Sequence, residues 1–370
     1  MNLLDKEDRK RNEFLTKCLV KNIAFYAYSL PESSTIKLGV QLKGLPQKYT
    51  NLSNLKEKEG FVFAPFDQKG KYASYFIRKD FDEIDFQELD LNLEEIEGYK
   101  AEEDNAIHES TREEYSQQMN ILLSQLNKKE LDKVILSRIH VLHQKGREEA
   151  LTYFLKLNEA YPNAFVFIVD IPKIGLWIGA SPERLISHKQ NKMKTVALAG
   201  TQKLGGRKIE EVVWEDKEVE EQAFVSSYIE KLLKGSQITK YERTEPFTSQ
   251  AGNLVHLKTV YQINSNLGFD QSSSFAEALH PTPAVCGLPK RDAMELIRTV
   301  ENHDREYYAG YLGPVHTNGD MSLFVNLRSM KVFKNMMALF VGGGITSGSN
   351  PEKEWDETCF KAQTLLNVIK

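Results

Sequence analysis

The sequence predicts an α+β protein in which large antiparallel β-sheets carry helices on their outside. Apolar, β-branched runs follow one another across short polar turns between residues 164 and 200, which is typical of antiparallel strands. Segments with helical periodicity stand apart from these runs, near residues 110–127, 216–233, 290–301 and 352–369. Strand clusters with segregated helices indicate an α+β fold.

The first helix and the first long strand have clear boundary signals. Ser110 and Glu113 have the spacing of a capping box, and the apolar residues that follow recur at helical spacing up to residue 127. The run KVILSRIHVL, residues 133–142, is β-branched and bounded by polar residues, so it predicts a strand that begins at Lys133.

The next runs predict a meander of strands. AFVFIVD (164–170) and GLWIGA (175–180) are joined through Pro172 and Lys173, which indicates a hairpin. RLISHK and KMKTVALAG continue it as two further strands. Later strands are predicted near residues 254–264, 308–315, 321–333 and 336–341.

Length and charge limit the organisation and the partners of the chain. The 370 residues would allow two or three domains. The strongly acidic stretch over residues 78–104 indicates a surface connection between an N-terminal third and the rest of the chain. The 48 basic and 52 acidic residues give a net charge of −4 without a basic block, which argues against a nucleic-acid or membrane partner.

Cysteine usage and the N-terminus indicate the compartment. The three cysteines are unclustered, so neither a disulfide framework nor a zinc site is predicted. The N-terminus has no apolar core of signal-peptide length, and no stretch approaches the ~18 apolar residues of a membrane span. We therefore expect a cytoplasmic protein that acts on a small molecule.

Two predicted helices carry pairs of acidic residues at a spacing of three. Glu218 and Glu221 form one pair, and Glu354 and Glu357 form the other. Residues i and i+3 share a helix face, so four carboxylates from two helices would suit Mg²⁺, which prefers oxygen ligands. The simpler interpretation is two solvated acidic faces, with Lys361 forming an ordinary surface ion pair with Glu357.

The segment ALFVGGGITSGSNPEKEW and the nearby Arg328 suggest ligand contacts. Three consecutive glycines, Gly342 to Gly344, would let the backbone approach a ligand and present N–H groups to an anion; a tight turn is the alternative. Arg328 lies in the apolar strand context SLFVNLRSM, where a cation needs a partner. A salt bridge and a substrate carboxylate explain it equally well.

Lys133 and Glu183 are candidates for acid–base chemistry. A buried lysine near positive charge has a lowered pKa and suits a general base, whereas burial raises the pKa of a glutamate toward that of a general acid. Sequence alone does not reveal such environments. The residues by themselves predict an α+β protein with a possible Mg²⁺ site.

From Lys133 onward, ordered motifs resemble those of the chorismate-utilising enzymes, a family that includes isochorismate, salicylate, anthranilate and aminodeoxychorismate synthases. The matching segments are KVILSR, IGASPERL, VALAGT, KEVEEQAFV, LVHLKT, ALHPTPAVCGLP, ENHDREYYAGYLG, FVNLRSM and FVGGGITSGSNPEKEWDETCFKAQTLLNVI. The resemblance covers roughly residues 105–370 and implies a single unit, with a catalytic core (105–370) and a variable N-terminal subregion (1–104). It implies the chorismate-binding fold, like that of anthranilate synthase component I, and chorismate as the substrate.

The resemblance also implies a magnesium site and a substrate site. Glu221 and Glu357 correspond to direct Mg²⁺ ligands, and Glu218 and Glu354 correspond to partners reached through metal-bound water. The residues that the resemblance places around the substrate are Thr201, His256, Ala284, Tyr308, Arg328, Gly342 and Lys361. Among these, Arg328, Gly342 and Tyr308 correspond to the enolpyruvyl carboxylate site, and Lys361 to the ring carboxylate site. For His256, a satisfied core histidine is the alternative.

Within the family, Lys133 implies hydroxylation at ring carbon 2, because ammonia-using members typically carry Gln there. Ala199 replaces the nucleophilic lysine of aminodeoxychorismate synthases. Glu183 corresponds to the general acid at the carbon 4 hydroxyl. The resemblance therefore implies an isochorismate synthase, an isomerase feeding menaquinone or catechol siderophore biosynthesis. We expect a monomer without an obligate glutaminase subunit.

Two alternatives remain at this stage. A salicylate synthase would make isochorismate and then eliminate pyruvate; Ala284 and Val285, where lyase-active relatives tend to differ, favour stopping at isochorismate. The other alternative is a catalytically silent chorismate-binding subunit, which the joint presence of the predicted site residues disfavours.

Overall fold

Two antiparallel β-sheets packed face to face form the body of the protein. In the computed structural model, the described residues are 6–81, 96, 98–99, 107–129, 131–251, 254–264 and 267–369. The helices are α1 (Lys6–Lys21), α2 (Arg112–Leu126), α3 (Ala150–Ala160), α4 (Asp216–Gly235), α5 (Phe269–Leu279), α6 (Lys290–Val300) and α7 (Pro351–Ile369). No helix among these residues is long and apolar enough to cross a bilayer.

The first sheet has eight strands. They are β1 (Phe25–Ser29), β2 (Lys37–Val40), β6 (Lys133–Leu142), β7 (Phe165–Ile171), β8 (Gly175–Ser181), β14 (Gly287–Leu288), β17 (Ser329–Val332) and β18 (Met337–Ile345). Their order across the sheet is β14-β6-β18-β17-β8-β7-β1-β2. The nine-residue pairing of β18 with β6 places Gly342 opposite Ser137 and Gly344 opposite Ile135.

The second sheet has ten strands. They are β3 (Gln47–Tyr49), β4 (Gly60–Ala64), β5 (Ser74–Arg78), β9 (Arg184–Lys189), β10 (Lys192–Lys203), β11 (Glu242–Arg243), β12 (Phe247–Ala251), β13 (Leu254–Ile263), β15 (Tyr311–Val315) and β16 (Met321–Val325). The order is β11-β13-β10-β9-β16-β15-β4-β5-β3, and β12 pairs with β13. The predicted α+β class with antiparallel sheets is confirmed.

The main core lies between the two sheets. Phe165 of β7 stacks on Phe324 of β16 with ring centroids 4.1 Å apart, and Trp177 of β8 stacks on Phe340 of β18. A second core packs the outer face of the first sheet against α1, α3 and α7, through buried residues such as Phe14, Leu157 and Leu366. Helices therefore cover the sheets from outside.

The capping box of α2 lies one residue later than predicted. Ser110 exchanges hydrogen bonds with the backbone of Ile139 in β6. These bonds use both the backbone N–H and the hydroxyl of Ser110. Thr111 and Glu114 instead make the reciprocal cap. Both pairs have the required spacing, and the tertiary contact of Ser110 selects the second.

The strand predicted over residues 321–333 is wrong as a single strand. It breaks at residues 326–328, so β16 lies in the second sheet and β17 in the first. Arg328, at the break, has a left-handed φ of 48°. The strand predicted from residue 308 begins at Tyr311, after Ala309, whose φ is 61°.

Several elements have no counterpart in the sequence prediction, including α1, α3, α5 and the N-terminal strands. β1 and β4 are buried at every position, so they lack the alternation that reveals a half-exposed strand. β1 pairs with β7 and β4 with β15, while the division at residue 104 stays a prediction. The acidic connection, apart from residues 78–81, 96 and 98–99, lies outside the described residues.

Candidate active site

A cavity lies where β6, β10 and β18 meet α4 and α7. Apolar side chains line it together with a few charged ones, as is usual for small-molecule sites. Nine of the thirteen predicted site residues line it: Glu183, Thr201, Glu221, His256, Ala284, Tyr308, Arg328, Gly342 and Lys361. The other four predicted residues, Lys133, Glu218, Glu354 and Glu357, are not among the lining residues.

Lys133 lies directly behind the cavity wall. It is the first residue of β6, its side chain is fully buried, and its Nζ lies 2.6 Å from Glu221 Oε1. Burial alone would raise the pKa of Glu221, but the charge and hydrogen bond of Lys133, with Lys361 and Lys217 further off, leave that pKa lowered. Glu221 is therefore a carboxylate whose charge Lys133 neutralises.

Glu183 is a buried acid in the cavity wall. It lies between β8 and β9 and is 3% exposed. Burial raises its pKa to about 7, against the opposing effects of the Thr282 hydrogen bond and the Lys133 charge. A carboxyl group in this environment is partly protonated near neutral pH and suits a general acid.

Thr282 is a contact that sequence reasoning missed. Its Oγ1 donates a 3.3 Å hydrogen bond to Glu183 Oε1, and it lies in the same segment as Ala284. A hydroxyl residue between two prolines in ALHPTPAVCGLP was the available signal, since such a residue is fixed by its neighbours.

A buried ion pair also missed by the sequence reasoning supports the cavity wall. Arg305 Nη2 lies 2.6 Å from Glu301 Oε1, and Arg305 also donates to the carbonyl oxygens of Ile135 and Val285. Glu301 accepts hydrogen bonds from the backbone and hydroxyl of Ser137. Ile135 and Ser137 belong to β6, and Val285 lies three residues after Thr282. The ion pair therefore joins the strand that begins at Lys133 to the segment that contains Thr282.

Arg328 reaches the cavity from the turn between the sheets, not from within a strand as predicted. It is 8% exposed, and its Nη1 donates a 2.7 Å hydrogen bond to Thr364 Oγ1 on α7. Burial lowers its pKa, yet a guanidinium keeps its charge throughout the physiological range. No ion pair of Arg328 with an acidic side chain occurs within the described ranges, so its charge is available to a ligand anion.

The three glycines line the cavity from within a strand, and do not form the tight turn considered as the alternative. Gly342, Gly343 and Gly344 belong to β18 and pair with β6. Their importance is steric: a Cβ on Gly344 would lie 2.8 Å from both Glu221 Oε1 and Lys133 Cε, and one on Gly342 would lie 3.3 Å from the Tyr308 hydroxyl. The missing side chains leave room for the ion pair and for the cavity.

Lys361 and Tyr308 place hydrogen-bond donors beside Gly342. Lys361 Nζ lies 2.7 Å from Glu357 Oε1 and 2.9 Å from the Gly342 carbonyl oxygen, and its side chain is 16% exposed. Burial raises the pKa of Tyr308 to about 12, so its hydroxyl remains protonated. Lys361 thus lines the cavity and is not the ordinary surface ion pair considered from sequence.

His256 is only half satisfied. Its Nδ1 contacts the Gly200 carbonyl oxygen at 2.9 Å and Thr201 Oγ1 at 3.2 Å, whereas its buried Nε2 has no partner. Burial, with the nearby charge of Arg328, lowers its pKa to about 3. The ring is therefore neutral, and with Nδ1 donating to Gly200, Nε2 offers an acceptor.

The four acidic residues proposed for a metal are held mainly by lysines. Glu221 pairs with Lys133, Glu357 with Lys361, and Glu354 Oε1 with Lys217 Nζ at 2.8 Å. Glu218 accepts a hydrogen bond from the Glu215 backbone at the start of α4. Over the described ranges, no three His, Cys, Asp or Glu side chains are grouped closely enough to form a ready metal site.

The donor chemistry nevertheless fits a hard divalent cation. All four side chains offer carboxylate oxygens, the ligand type that Mg²⁺ prefers. Glu354 is only 2% exposed, and its buried Oε2 has no hydrogen-bond partner among the described residues. A buried carboxylate oxygen normally has a hydrogen-bond donor or a cation beside it, so this oxygen is suited to one.

The chain matches the family model described as "Chorismate binding enzyme" over residues 72–370. It is 28% identical to isochorismate synthase EntC of Escherichia coli over 65% of this chain and 63% of that protein. It is also 28% identical to the vibriobactin-specific isochorismate synthase of Vibrio cholerae, over 69% of this chain and 66% of the relative. The matches thus span less than two thirds of these relatives.

Solved structures share the fold. A 2,3-dihydroxybenzoate-specific isochorismate synthase, DhbC, from Bacillus anthracis superimposes with a TM-score of 0.77 at 24% identity, over 96% of this chain and 99% of that chain. The menaquinone-specific isochorismate synthase MenF of Escherichia coli gives 0.77 at 21% identity, over 100% and 92%. Anthranilate synthase component I of Streptococcus pneumoniae gives 0.68 at 19% identity, over 93% and 91%. These similarities confirm the predicted chorismate-binding fold.

Proposed function

The chain belongs to the chorismate binding enzymes, and from that premise we propose that it is an isochorismate synthase, an isomerase that converts chorismate to isochorismate with Mg²⁺. Relatives that carry this activity in their names, at 28% identity, support the proposal. The product would feed menaquinone or catechol siderophore biosynthesis; one similar protein is described as menaquinone-specific and another as vibriobactin-specific.

The observation that carries the proposal is the placement of Glu183. An acid with a pKa of about 7 lines a cavity that also contains Arg328 and Lys361. Chorismate carries two carboxylates and a leaving hydroxyl, so two cations and one protonated acid match its groups. A guanidinium binds a carboxylate in two-point geometry, which supports Arg328 at the enolpyruvyl carboxylate and Lys361 near the ring carboxylate.

In the proposed reaction, Lys133 accepts a proton from a water whose oxygen bonds to ring carbon 2. The ring double bonds shift, and the carbon 4 hydroxyl leaves as water with the proton of Glu183. One water is consumed and one is released, so the product is an isomer. Lys133 acts as a base only when neutral, so its ion pair with Glu221 must open during turnover.

Magnesium would be held directly by Glu221 and Glu357, and through water by Glu218 and Glu354. When bound, it would neutralise charge at the ring carboxylate and orient the substrate. The residues of the chain provide the remaining functions. Tyr308 and Gly342 flank Arg328 at the cavity wall, and Thr201 and neutral His256 offer a hydroxyl and an acceptor nitrogen to the substrate ring. Ala284 shapes the side near Glu183.

The proposal includes that the chain uses water and acts without a glutaminase subunit, as a monomer. Lys133 in place of a glutamine, and Ala199 in place of a nucleophilic lysine, support water over ammonia. Size-exclusion chromatography with light scattering tests the oligomeric state.

Incubation of the purified protein with chorismate tests the activity. Chromatography of the products, with Mg²⁺ and with EDTA, should show isochorismate only when the metal is present. If fluorescent salicylate forms without a second enzyme, the chain is a salicylate synthase and the isochorismate synthase assignment is wrong. Stabilisation by chorismate without turnover would indicate a silent binding subunit, and unchanged turnover in EDTA would remove magnesium from the proposal.

A further inference from the structure

Three side-chain oxygens surround a small space above Gly343. A Cβ added to this glycine would lie 3.5 Å from Glu354 Oε2, 3.9 Å from the Tyr115 hydroxyl and 4.0 Å from Glu357 Oε1. Gly343 is in the extended pairing of β18 with β6. We call the space bounded by these three oxygens and Gly343 the Gly343 hollow.

Two of the three oxygens have no hydrogen-bond partner in the part of the chain that the structure describes. Both the Tyr115 hydroxyl and Glu354 Oε2 are buried and unpaired, in residues that are 1% and 2% exposed. Buried polar atoms are almost always satisfied by protein or ordered water. Tyr115 can donate its hydroxyl proton, since burial and the nearby Glu354 raise its pKa.

We propose that the Gly343 hollow binds one ordered water, which accepts a hydrogen bond from Tyr115 and donates to Glu354 Oε2 and Glu357 Oε1. Three bonds are the usual number for a buried water. Tyr115 is thereby a positioning residue for the two acidic residues that α7 contributes to the proposed magnesium site. This role rests on the proposed function, whereas the water itself does not.

The surrounding contacts explain why this water would orient both carboxylates. Lys217 holds the other oxygen of Glu354, and Lys361 holds Glu357 Oε1, so the water would give each carboxylate a second anchor. The Tyr115 ring packs edge-on against Trp355 of α7 with centroids 5.5 Å apart, which keeps the hydroxyl in place. Mutation of a residue that hydrogen-bonds to a metal ligand typically weakens metal affinity 10- to 100-fold.

Two variants test the proposal with little disturbance. Tyr115→Phe removes only the hydroxyl. Gly343→Ala fills the hollow with a methyl group at ordinary van der Waals distances, so the fold is kept and the water is displaced. Matched controls are Gly348→Ala, where a Cβ meets nothing within 4 Å, and Tyr75→Phe on β5 in the other sheet.

The readouts are Mn²⁺ affinity, followed by the paramagnetic resonance of free Mn²⁺, and a crystal structure of the metal-free protein. We expect density for one water in the hollow, and Mn²⁺ dissociation constants at least tenfold higher in both variants, with both controls unchanged.

The failures of this inference and of the proposed function are distinct. A dry hollow in the crystal, or wild-type Mn²⁺ affinity in both variants, overturns the inference even if the enzyme makes isochorismate. A weakened Gly343→Ala with an unchanged Tyr115→Phe overturns the role of Tyr115. If the wild-type protein binds neither Mn²⁺ nor Mg²⁺, the proposed metal site and the positioning role of Tyr115 are both wrong. The crystal density then tests separately whether the water is present.

Discussion

Lys133 Nζ and Glu221 Oε1 lie 2.6 Å apart, so the proposed general base and a proposed metal ligand form one ion pair. The lysine side chain is fully buried and the glutamate is 19% exposed. Removing one partner of a buried pair leaves the other without its counter-charge, which is costlier than removing both. Stability and catalysis therefore depend on the same contact.

We expect Lys133→Met to lower kcat at least ~10²-fold, because it removes the proposed base, and to destabilise the protein by about 2–3 kcal/mol, because Glu221 keeps its charge. The double variant with Glu221→Gln should recover most of the stability and none of the activity. Urea unfolding and turnover of the two single variants and the double variant check this. Additive stability losses would contradict the coupling.

Glu183→Gln should lose activity and gain stability at alkaline pH. The folded pKa of Glu183 is raised from 4.5 to about 7, so its contribution to stability is complete below pH 4.5 and is lost as the pH rises through 7. The loss amounts to roughly 3 kcal/mol. We expect the variant to match wild type near pH 4.5 and exceed it at pH 8 in chemical unfolding, with kcat reduced ~10²-fold or more. Equal stability at both pH values would refute the assigned environment.

Thr282→Val should shift the alkaline limb of the kcat/KM–pH profile to higher pH. Thr282 donates a hydrogen bond to Glu183 Oε1, which favours the carboxylate form and lowers its pKa. Without it the acid stays protonated to higher pH, so kcat/KM should fall at a more alkaline pH than in wild type. Thr282→Ser, which keeps the hydroxyl, is the control and should retain the wild-type profile.

Arg328→Lys should raise KM for chorismate about tenfold or more, with a smaller effect on kcat. A lysine keeps the charge but loses the two-point geometry toward a carboxylate. Steady-state kinetics give both parameters. Thr364→Val removes the hydrogen bond that orients Arg328 and should raise KM less. A kcat defect without a change in KM would exclude Arg328 from ground-state binding.

Gly344→Ala should lower both stability and kcat. Its Cβ would lie 2.8 Å from Glu221 Oε1 and from Lys133 Cε, so the ion pair must shift, at a cost of about 1–3 kcal/mol. Thermal unfolding and turnover, beside Gly348→Ala, measure the effect. A variant with wild-type stability would show that the pair moves without cost.

The parts of the fold that follow local pattern were predictable. The strand beginning at Lys133 is a β-branched run with polar boundaries, and its bounds are confirmed. The helices carrying Glu221 and Glu357 are also confirmed. By contrast, no glycine or proline marks the break at Arg328, and buried strand residues continue on both sides of it, in β16 and in β17.

Nine of the thirteen residues that the family resemblance identified line one cavity, because their motifs lie along strands and helices that converge there. Their roles stay predictions, and their pairings could not be predicted. The partners of the acidic residues lie far away in sequence: Lys133 and Glu221 are 88 positions apart. Spacing along a helix suggests which carboxylates share a face, and it contains no information about a lysine on another element.

The passage of the chain from β16 to β17 links substrate fit to the interior of the sandwich. Residues 326–328 are the whole link between a strand of one sheet and a strand of the other, and Arg328 is its last residue. The Phe165–Phe324 stack joins the two sheets next to this link. We expect a change in ring size there to shift the guanidinium relative to Glu183. Selectivity can therefore evolve through residues that never touch the ligand, and libraries aimed at the sheet interface should alter substrate preference as readily as libraries aimed at the cavity wall.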